Sequence, residues 1–205
     1  TLKPIDLSGK SGLHTWTRMG DSATWNGTNW LLPDATKSSL FSQKSFVFDG
    51  VNEYITISSL ATSGDDLAIS FWGKLPNLSS GASYIIAGDS NNYIYYNSNE
   101  IMYAKINGST AYIITNAGGV PNVFDGNWHY FVVSKVGSTV TFWFDGVSYA
   151  NAGTGTTGGF TATHIGAYIT GASGVNGNLD DVAIFEADKT GSINTFYNSG
   201  VPTNL

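Results

Sequence analysis

Fifteen carboxylate side chains and three histidines are the groups in this 205-residue chain that could do acid–base or metal chemistry, and there is no cysteine. Without cysteine there are no disulfides, no thiolate nucleophile and no cysteine-type zinc site. A retaining glycosidase needs two carboxyl groups roughly 5 Å apart, which on one strand means acids at i and i+2 or i+4. No E-x-D-x-x-E run of that kind occurs. Asp180 and Asp181 point to opposite strand faces, Asp65 and Asp66 precede a strand, and Glu53, Glu100 and Glu186 belong to no such run. His14, His129 and His164 are too scattered for a metal triad or a nucleophile–base pair. His129, beside Trp128, reads as a structural histidine. Asp49-Gly50, Asp125-Gly126 and Asp145-Gly146 are tight-turn pairs in which glycine supplies the positive φ. The expectation is a non-enzyme.

Asp180 is the sharpest single candidate. Strict alternation puts it on the same face as Val182 and Ile184, both core residues, while Asp181 faces solvent. A carboxylate held against a core edge needs a counter-charge or a dense set of donors. Two readings stand: it caps a loop through backbone N–H groups, or it ligates calcium, which takes six to eight oxygens at about 2.3–2.6 Å.

The aromatic residues offer a binding surface. Tyr93 and Tyr95 share one strand face, Ile94 and Tyr96 the other, and Tyr103 and Tyr112 recur on neighbouring strands. Trp72 and Trp143 sit opposite their strands' main core faces. Such rings can stack on the C–H faces of sugars or serve as ordinary cross-strand pairs.

The elements that carry these residues are strands. Segment 68–75 alternates Ile69, Phe71 and Leu75 against Ser70, Trp72 and Lys74, the period of a half-buried strand. Segments 128–136 and 139–145 form a hairpin about Gly137-Ser138. Further strands are predicted over 84–87, 93–96, 101–106, 111–115, 163–168 and 178–185, with turn-rich clusters between them. One helix is predicted over 191–198, with Thr190 or Ser192 as cap and Gly200 then Pro202 as stop. The first 45 residues are less regular, a strand followed by a long loop, and no linker divides the chain. The expectation is therefore one all-β domain, 1–205, built as an antiparallel two-sheet sandwich.

Composition bounds the partners. Apolar residues make up 41% of the chain, enough for a core, but charged residues only 12%. The net charge of −6 and a single arginine, Arg18, argue against a nucleic-acid surface. No apolar run is long enough for a membrane-spanning helix, so no membrane insertion is expected. The Asn-X-Ser/Thr triplets at Asn26, Asn77 and Asn107 are glycan acceptors only on a eukaryotic secretory route.

Several motifs together carry a resemblance. In order they are Phe46-Val47-Phe48-Asp49-Gly50, Tyr54-Ile55-Thr56-Ile57, Ile69-Ser70-Phe71-Trp72, Trp128-His129-Tyr130 with Thr141-Phe142-Trp143-Phe144-Asp145-Gly146, and Gly177-Asn178-Leu179-Asp180-Asp181-Val182-Ala183-Ile184-Phe185. The series, with the tail through Pro202, resembles the laminin-G-like (concanavalin A-like lectin/glucanase) domain, from about Ser45 onward. The resemblance implies a jelly roll with one short C-terminal helix. It also implies a structural calcium joining Asp180 to an N-terminal loop, with Asp21 or Asp34 as partner. The stretch Trp16–Asp21, with Trp30 and Pro33-Asp34-Ala35, is similar to N-terminal segments of such domains in phage and other viral structural proteins.

The functional expectation is a non-catalytic binding or display domain of a virion surface or appendage, with glycan recognition through Tyr93, Tyr95, Tyr96, Tyr103, Tyr112, Trp72 and Trp143. A virion part should be a homo-oligomer, a trimer or larger ring. The alternative is a carbohydrate-binding module of a secreted bacterial enzyme or adhesin, and a weaker one a β-glucan hydrolase. The expected location is the virion, or the extracellular or cell surface.

Overall fold

The structure, a computed structural model, describes residues 24–25, 30–31, 45–155 and 157–200. The chain divides into two compact units, 1–42 and 43–205. Of the first, one antiparallel pair is described, β1 (Thr24–Trp25) with β2 (Trp30–Leu31).

The second unit is a sandwich of two six-stranded antiparallel sheets. The first sheet contains β3 (Phe46–Asp49), β5 (Leu67–Pro76), β10 (Asp125–Val136), β11 (Thr139–Phe144), β12 (Val147–Ala150) and β14 (Asn176–Phe185), in the order β12-β11-β10-β5-β14-β3. The second contains β4 (Ile55–Ala61), β6 (Ala82–Asp89), β7 (Asn92–Asn97), β8 (Ile101–Ile106), β9 (Ser109–Ile114) and β13 (Thr161–Ile165), in the order β4-β13-β6-β7-β8-β9. The two-sheet antiparallel expectation is borne out. The short strand β12 is additional to it.

Phe71 and Leu75 of β5, Phe131 and Val133 of β10 and Phe142 and Phe144 of β11 meet Ile85, Ile94, Met102 and Ile113 of the second sheet in one core. Val182 and Ile184 of β14 pack against it. The Asp145-Gly146 pair does form a left-handed turn, with φ of 51° and 80°, and feeds β11 into β12.

The outer face of the first sheet is covered as well. A 3₁₀ turn at Thr190–Ser192 leads into α1 (Ile193–Tyr197). Ile193 buries against Ala68, Trp72, Tyr130 and Val132, with Trp143, Phe185, Phe196 and Tyr197 around them. Strand β5 is therefore buried on both faces, not half-buried as its alternation implies. Neither Thr190 nor Ser192 caps with its side chain. Instead the Asp188 carboxylate accepts both the Thr190 N–H and its hydroxyl. The helix ends at Asn198, which is left-handed at φ 45°.

Candidate functional site

Strands β7, β8 and β9 pair without a break in register. Strict alternation therefore holds across them: Ile94, Tyr96, Met102, Ala104, Ala111 and Ile113 go to the core, and Tyr93, Tyr95, Tyr103 and Tyr112 to the outside, each half-buried. Tyr95 lies directly opposite Tyr103, and Tyr103 opposite Tyr112. Their rings form a row. Tyr84 of β6 stacks on Tyr95 at 4.9 Å and 21°, Tyr95 on Tyr103 at 4.6 Å and 6°, and Tyr103 meets Tyr112 at 5.7 Å. Tyr168 joins at 4.8 Å from Tyr84, and Tyr93 fills the angle between Tyr84 and Tyr95.

Tyr84 and Tyr168 escaped the sequence reading. Alternation from buried Ile86 turns Tyr84 inward, but a bulge between Tyr84 and Ile86 buries Ile85 and Ile86 together and returns Tyr84 to the outer face. Tyr168 lies beyond the end of β13, on a turn closed by hydrogen bonds between Tyr168 and Gly171 and between Tyr168 and Ala172. The end of β6 is fitted closely to β13: a Cβ on Gly88 would stand 1.9 Å from the Thr161 carbonyl oxygen, so no larger residue fits there.

The stacking decides what the row presents. Tyr95 has a ring on each side, Tyr84 from β6 and Tyr103 from β8, so neither of its faces is open to a sugar. The expected face-on stacking is thus unavailable at Tyr95, and the row offers ring edges and phenol hydroxyls. Among the described residues those of Tyr93, Tyr95, Tyr103 and Tyr112 bond to no protein group. Burial, then the neighbouring Tyr103, Tyr84 and Tyr93 phenols, pushes the Tyr95 hydroxyl up to about 12. Burial and the Tyr93 and Tyr168 phenols raise that of Tyr84. These groups remain neutral donors at physiological pH.

Three expected ligand residues are elsewhere. Tyr96 is 1% exposed, stacks on Phe124 at 4.2 Å inside the core and donates to the Pro76 carbonyl. It faces the other way from Tyr95 because adjacent strand residues do. Trp72 is buried beneath α1, against Tyr130 and Tyr197, because the helix covers the face that alternation leaves open. Trp143 flanks the same cluster on the first sheet, its indole N–H donating to Ser134 Oγ at 2.8 Å.

Asp180 also differs from expectation. A bulge between Asp180 and Ala183, with Asp181 left-handed at φ 45°, shifts the phase of β14. Leu179, Val182 and Ile184 face the core, and Asp180, aligned with Trp72, faces outward. Burial, opposed by the Asp181 N–H bond, raises the Asp180 carboxyl. Local desolvation and the Asp180 charge raise that of Asp181, although the residue as a whole is exposed. The expected partners Asp21 and Asp34 lie outside the described residues, and among the described residues no cluster of three or more acidic, histidine or cysteine side chains is arranged to hold a metal.

His129 is held between two carboxylates, Nδ1 at 2.7 Å from Asp145 and Nε2 at 3.2 Å from Asp125. An open cleft of about 350 Å³ lies at the far end of the first sheet, between Ser138–Thr141 and Ala150, Asn151 and Gly155, and includes none of the tyrosines. No helix among the described residues is long and apolar enough to cross a membrane.

A two-sheet sandwich with a C-terminal helix and a ring-bearing outer sheet face defines a lectin-like β-sandwich. The Laminin_G_3 family model, described as the Concanavalin A-like lectin/glucanases superfamily, matches residues 49–192, and the chain belongs to that family. Among solved structures the chain is similar to domain 4 of AbnA, a GH43 extracellular arabinanase from Geobacillus stearothermophilus, in complex with arabinotriose. Identity is 15%, coverage 75% of this chain and 76% of that one, and the TM-score 0.55. It is also similar to Trypanosoma rangeli sialidase (13% identity, 77% of this chain and 28% of that one, TM-score 0.48) and to the binding domain of botulinum neurotoxin DC in complex with SialylT (17%, 73% and 45%, TM-score 0.46). The chain thus spans about a quarter of the sialidase. No curated protein matches it in sequence.

Proposed function

We propose that the second sheet's outer face binds an extended saccharide, and that the domain recognises glycans without cleaving them. One observation carries this reading: Tyr84, Tyr95, Tyr103 and Tyr112, from four successive strands, stand in a continuous row. Three strand spacings of about 4.8 Å give the row a length of roughly 14 Å, that of a short oligosaccharide laid across the strands. Each step then brings one phenol hydroxyl beneath the chain, a donor and acceptor suited to sugar hydroxyls, while Tyr112 and Tyr168 close the ends. The arabinotriose complex of the similarly folded arabinanase domain is consistent with a short saccharide as ligand.

The setting proposed is display, on a virion or other surface, or attachment to a secreted enzyme. A trimer or larger ring by solution mass measurement favours the virion part, and a monomer the appended module. The structural calcium expected at Asp180, with Asp21 or Asp34 as its partner carboxylate, also stands as a proposal.

The test is a glycan array followed by calorimetry on the best linear oligosaccharide. Tyr103→Ala should lose binding by more than tenfold and Trp143→Phe should leave it unchanged. A saccharide that binds equally well to Tyr84→Ala, Tyr95→Ala and Tyr103→Ala proteins, all folded, places its site elsewhere and ends the reading.

A further inference from the structure

Strands β7, β8 and β9 contain no acid and a single charged residue, Lys105. It follows Tyr103 by two positions, so it shares the outer face, and it pairs across the ladder with Tyr93. Its ammonium lies 5.4 Å from the centre of the Tyr93 ring and donates to the Ser90 carbonyl at 2.9 Å. An ammonium has three donors, and one acceptor is in place. Among the described residues Lys105 forms no ion pair.

Asp89, at the end of β6, is the acid whose strand leads into this turn. Its carboxylate is occupied by the Asn91 N–H and the Asn92 side-chain amide. Among the described residues the other group on this face able to gain a positive charge is His164, whose ring lies 5.3 Å from Tyr54 and whose Nδ1 is 2.8 Å from Thr163 Oγ1. In a chain of net charge −6, an ammonium without a carboxylate partner among the described residues, set against an aromatic row, is an unusual placement. The ring and the carbonyl hold it in position and leave donors pointing away from both.

We infer that Lys105 selects saccharides that carry a carboxylate, such as uronic acids, over neutral ones. The inference rests on the glycan reading above and narrows it to a substrate class. The sugar body lies along the phenol hydroxyls of Tyr95 and Tyr103, and its carboxylate accepts a charge-assisted hydrogen bond from Lys105 Nζ. Such bonds are shorter and roughly twice as strong as neutral ones. At a half-exposed site they are screened by salt, over a Debye length of about 8 Å at physiological ionic strength.

The experiment is titration calorimetry with two probes, a short oligogalacturonate and its carboxyl-reduced neutral counterpart, at low and high salt. The acidic oligomer should bind about tenfold more tightly at low salt, and the preference should shrink at high salt. Lys105→Met keeps the stem packed on Tyr93 and should bring the ratio of the two affinities close to one, whereas Lys105→Arg should restore it. Thermal melts verify that both variants fold. Equal affinity of the parent protein for the two oligomers, or a preference that survives Lys105→Met, overturns the inference and leaves the glycan reading standing on the neutral oligomer. Failure of both oligomers and of every linear glycan on the array removes that reading, and this inference with it.

Discussion

Asp145 holds His129 with one carboxylate oxygen and the backbone of β10 with the other. Oδ2 lies 2.7 Å from His129 Nδ1, and Oδ1 accepts the Tyr130 N–H at 2.9 Å. Asp145 is also the left-handed first residue of the turn between β11 and β12. The second residue of that turn, Gly146, has no room for a Cβ because Asn194 and Tyr197 of α1 lie against it. One histidine–carboxylate hydrogen bond therefore ties the start of β10, the next hairpin turn and the helix dock together.

This clamp makes stability depend on pH in a defined direction. The Asp145 hydrogen bond, opposed by burial and reinforced by the charges of Asp145 and Asp125, raises the His129 imidazole above its ordinary value of about 6.5. A base whose affinity for protons rises on folding contributes stability fully below its unfolded pKa and loses it as pH climbs through the folded one. His129→Gln should therefore cost about 1–2 kcal/mol at pH 5 and much less at pH 9, measured by urea unfolding. An equal cost at both pH values means that the imidazole is held as a neutral ring.

Lys135 is fully buried, turned inward by the same alternation that buries Phe131 and Val133. Its ammonium donates to the Asp65 backbone carbonyl at 2.5 Å and lies 3.4 Å from that residue's carboxylate. The Gly158 N–H, and then Lys135, hold the Asp65 carboxyl below the ordinary carboxylate range. The stem fills core space, while the carboxylate partner is largely exposed and can be solvated once the ammonium is gone. Lys135→Met should cost less than about 1.5 kcal/mol, and Lys135→Ala about 2–4 kcal/mol because it also opens a cavity. Denaturant midpoints that fall equally for both would assign the whole effect to charge.

How far these arrangements could be read in advance depends on bulges and on cover. Where the register runs unbroken, from β7 through β9, alternation placed Tyr93, Tyr95, Tyr103 and Tyr112 on the outer face, as found. Where a strand gains a residue, period-two counting inverts: Asp180, before the β14 bulge, faces opposite to its expected side, and Tyr84, before the β6 bulge, faces opposite to Ile86 two residues on. A bulge has no signature in the local hydrophobic pattern: in β6 the extra residue, Ile85, sits between Tyr84 and Ile86, and in β14 the shift falls across Asp181 and Val182. Trp72 illustrates the other limit. Its side was read correctly, but burial of that side depends on α1, whose contacts come from more than a hundred residues later in the chain. Tyr96, expected among the saccharide-binding rings, is buried, and its shared face with Ile94 was the signal against that assignment.

The acid pair at the β14 bulge yields a coupled prediction for pH and calcium. Burial first, and for Asp181 also the charge of Asp180, raises both carboxyls on folding. A folded state that binds protons more tightly gains stability as pH falls. Without metal, melting temperature should rise slightly from pH 7 toward pH 5 through this pair, and Asp180→Asn should remove the rise. Calcium bound there relieves the same repulsion at neutral pH. Adding it should raise the melt at pH 7 in the parent protein but not in Asp180→Asn, and a chelator should reverse it. A melt indifferent to both calcium and chelator disposes of the metal.

Tyr95 and Tyr96 are chain neighbours on opposite faces, and conservative changes at the two should separate stability from binding. The Tyr96 hydroxyl is buried and donates to the Pro76 carbonyl at 3.1 Å. Burial, partly offset by the Ser83 side chain, pushes that hydroxyl up to about 12. Tyr96→Phe should cost about 1 kcal/mol of stability and leave saccharide affinity unchanged. Tyr95→Phe keeps the ring between Tyr84 and Tyr103, and so keeps the stack, but removes a hydroxyl from the proposed contact. Its melting temperature should match the parent's within a degree or two, while affinity falls about tenfold, the worth of one good hydrogen bond. Because burial and the neighbouring phenols push the Tyr95 hydroxyl up to about 12, its contribution should persist to about pH 10, where an ordinary phenol is half ionised. Affinity that drops steeply between pH 8 and 10 in the parent protein, with Tyr95→Phe indistinguishable from it, assigns recognition to some group other than this phenol.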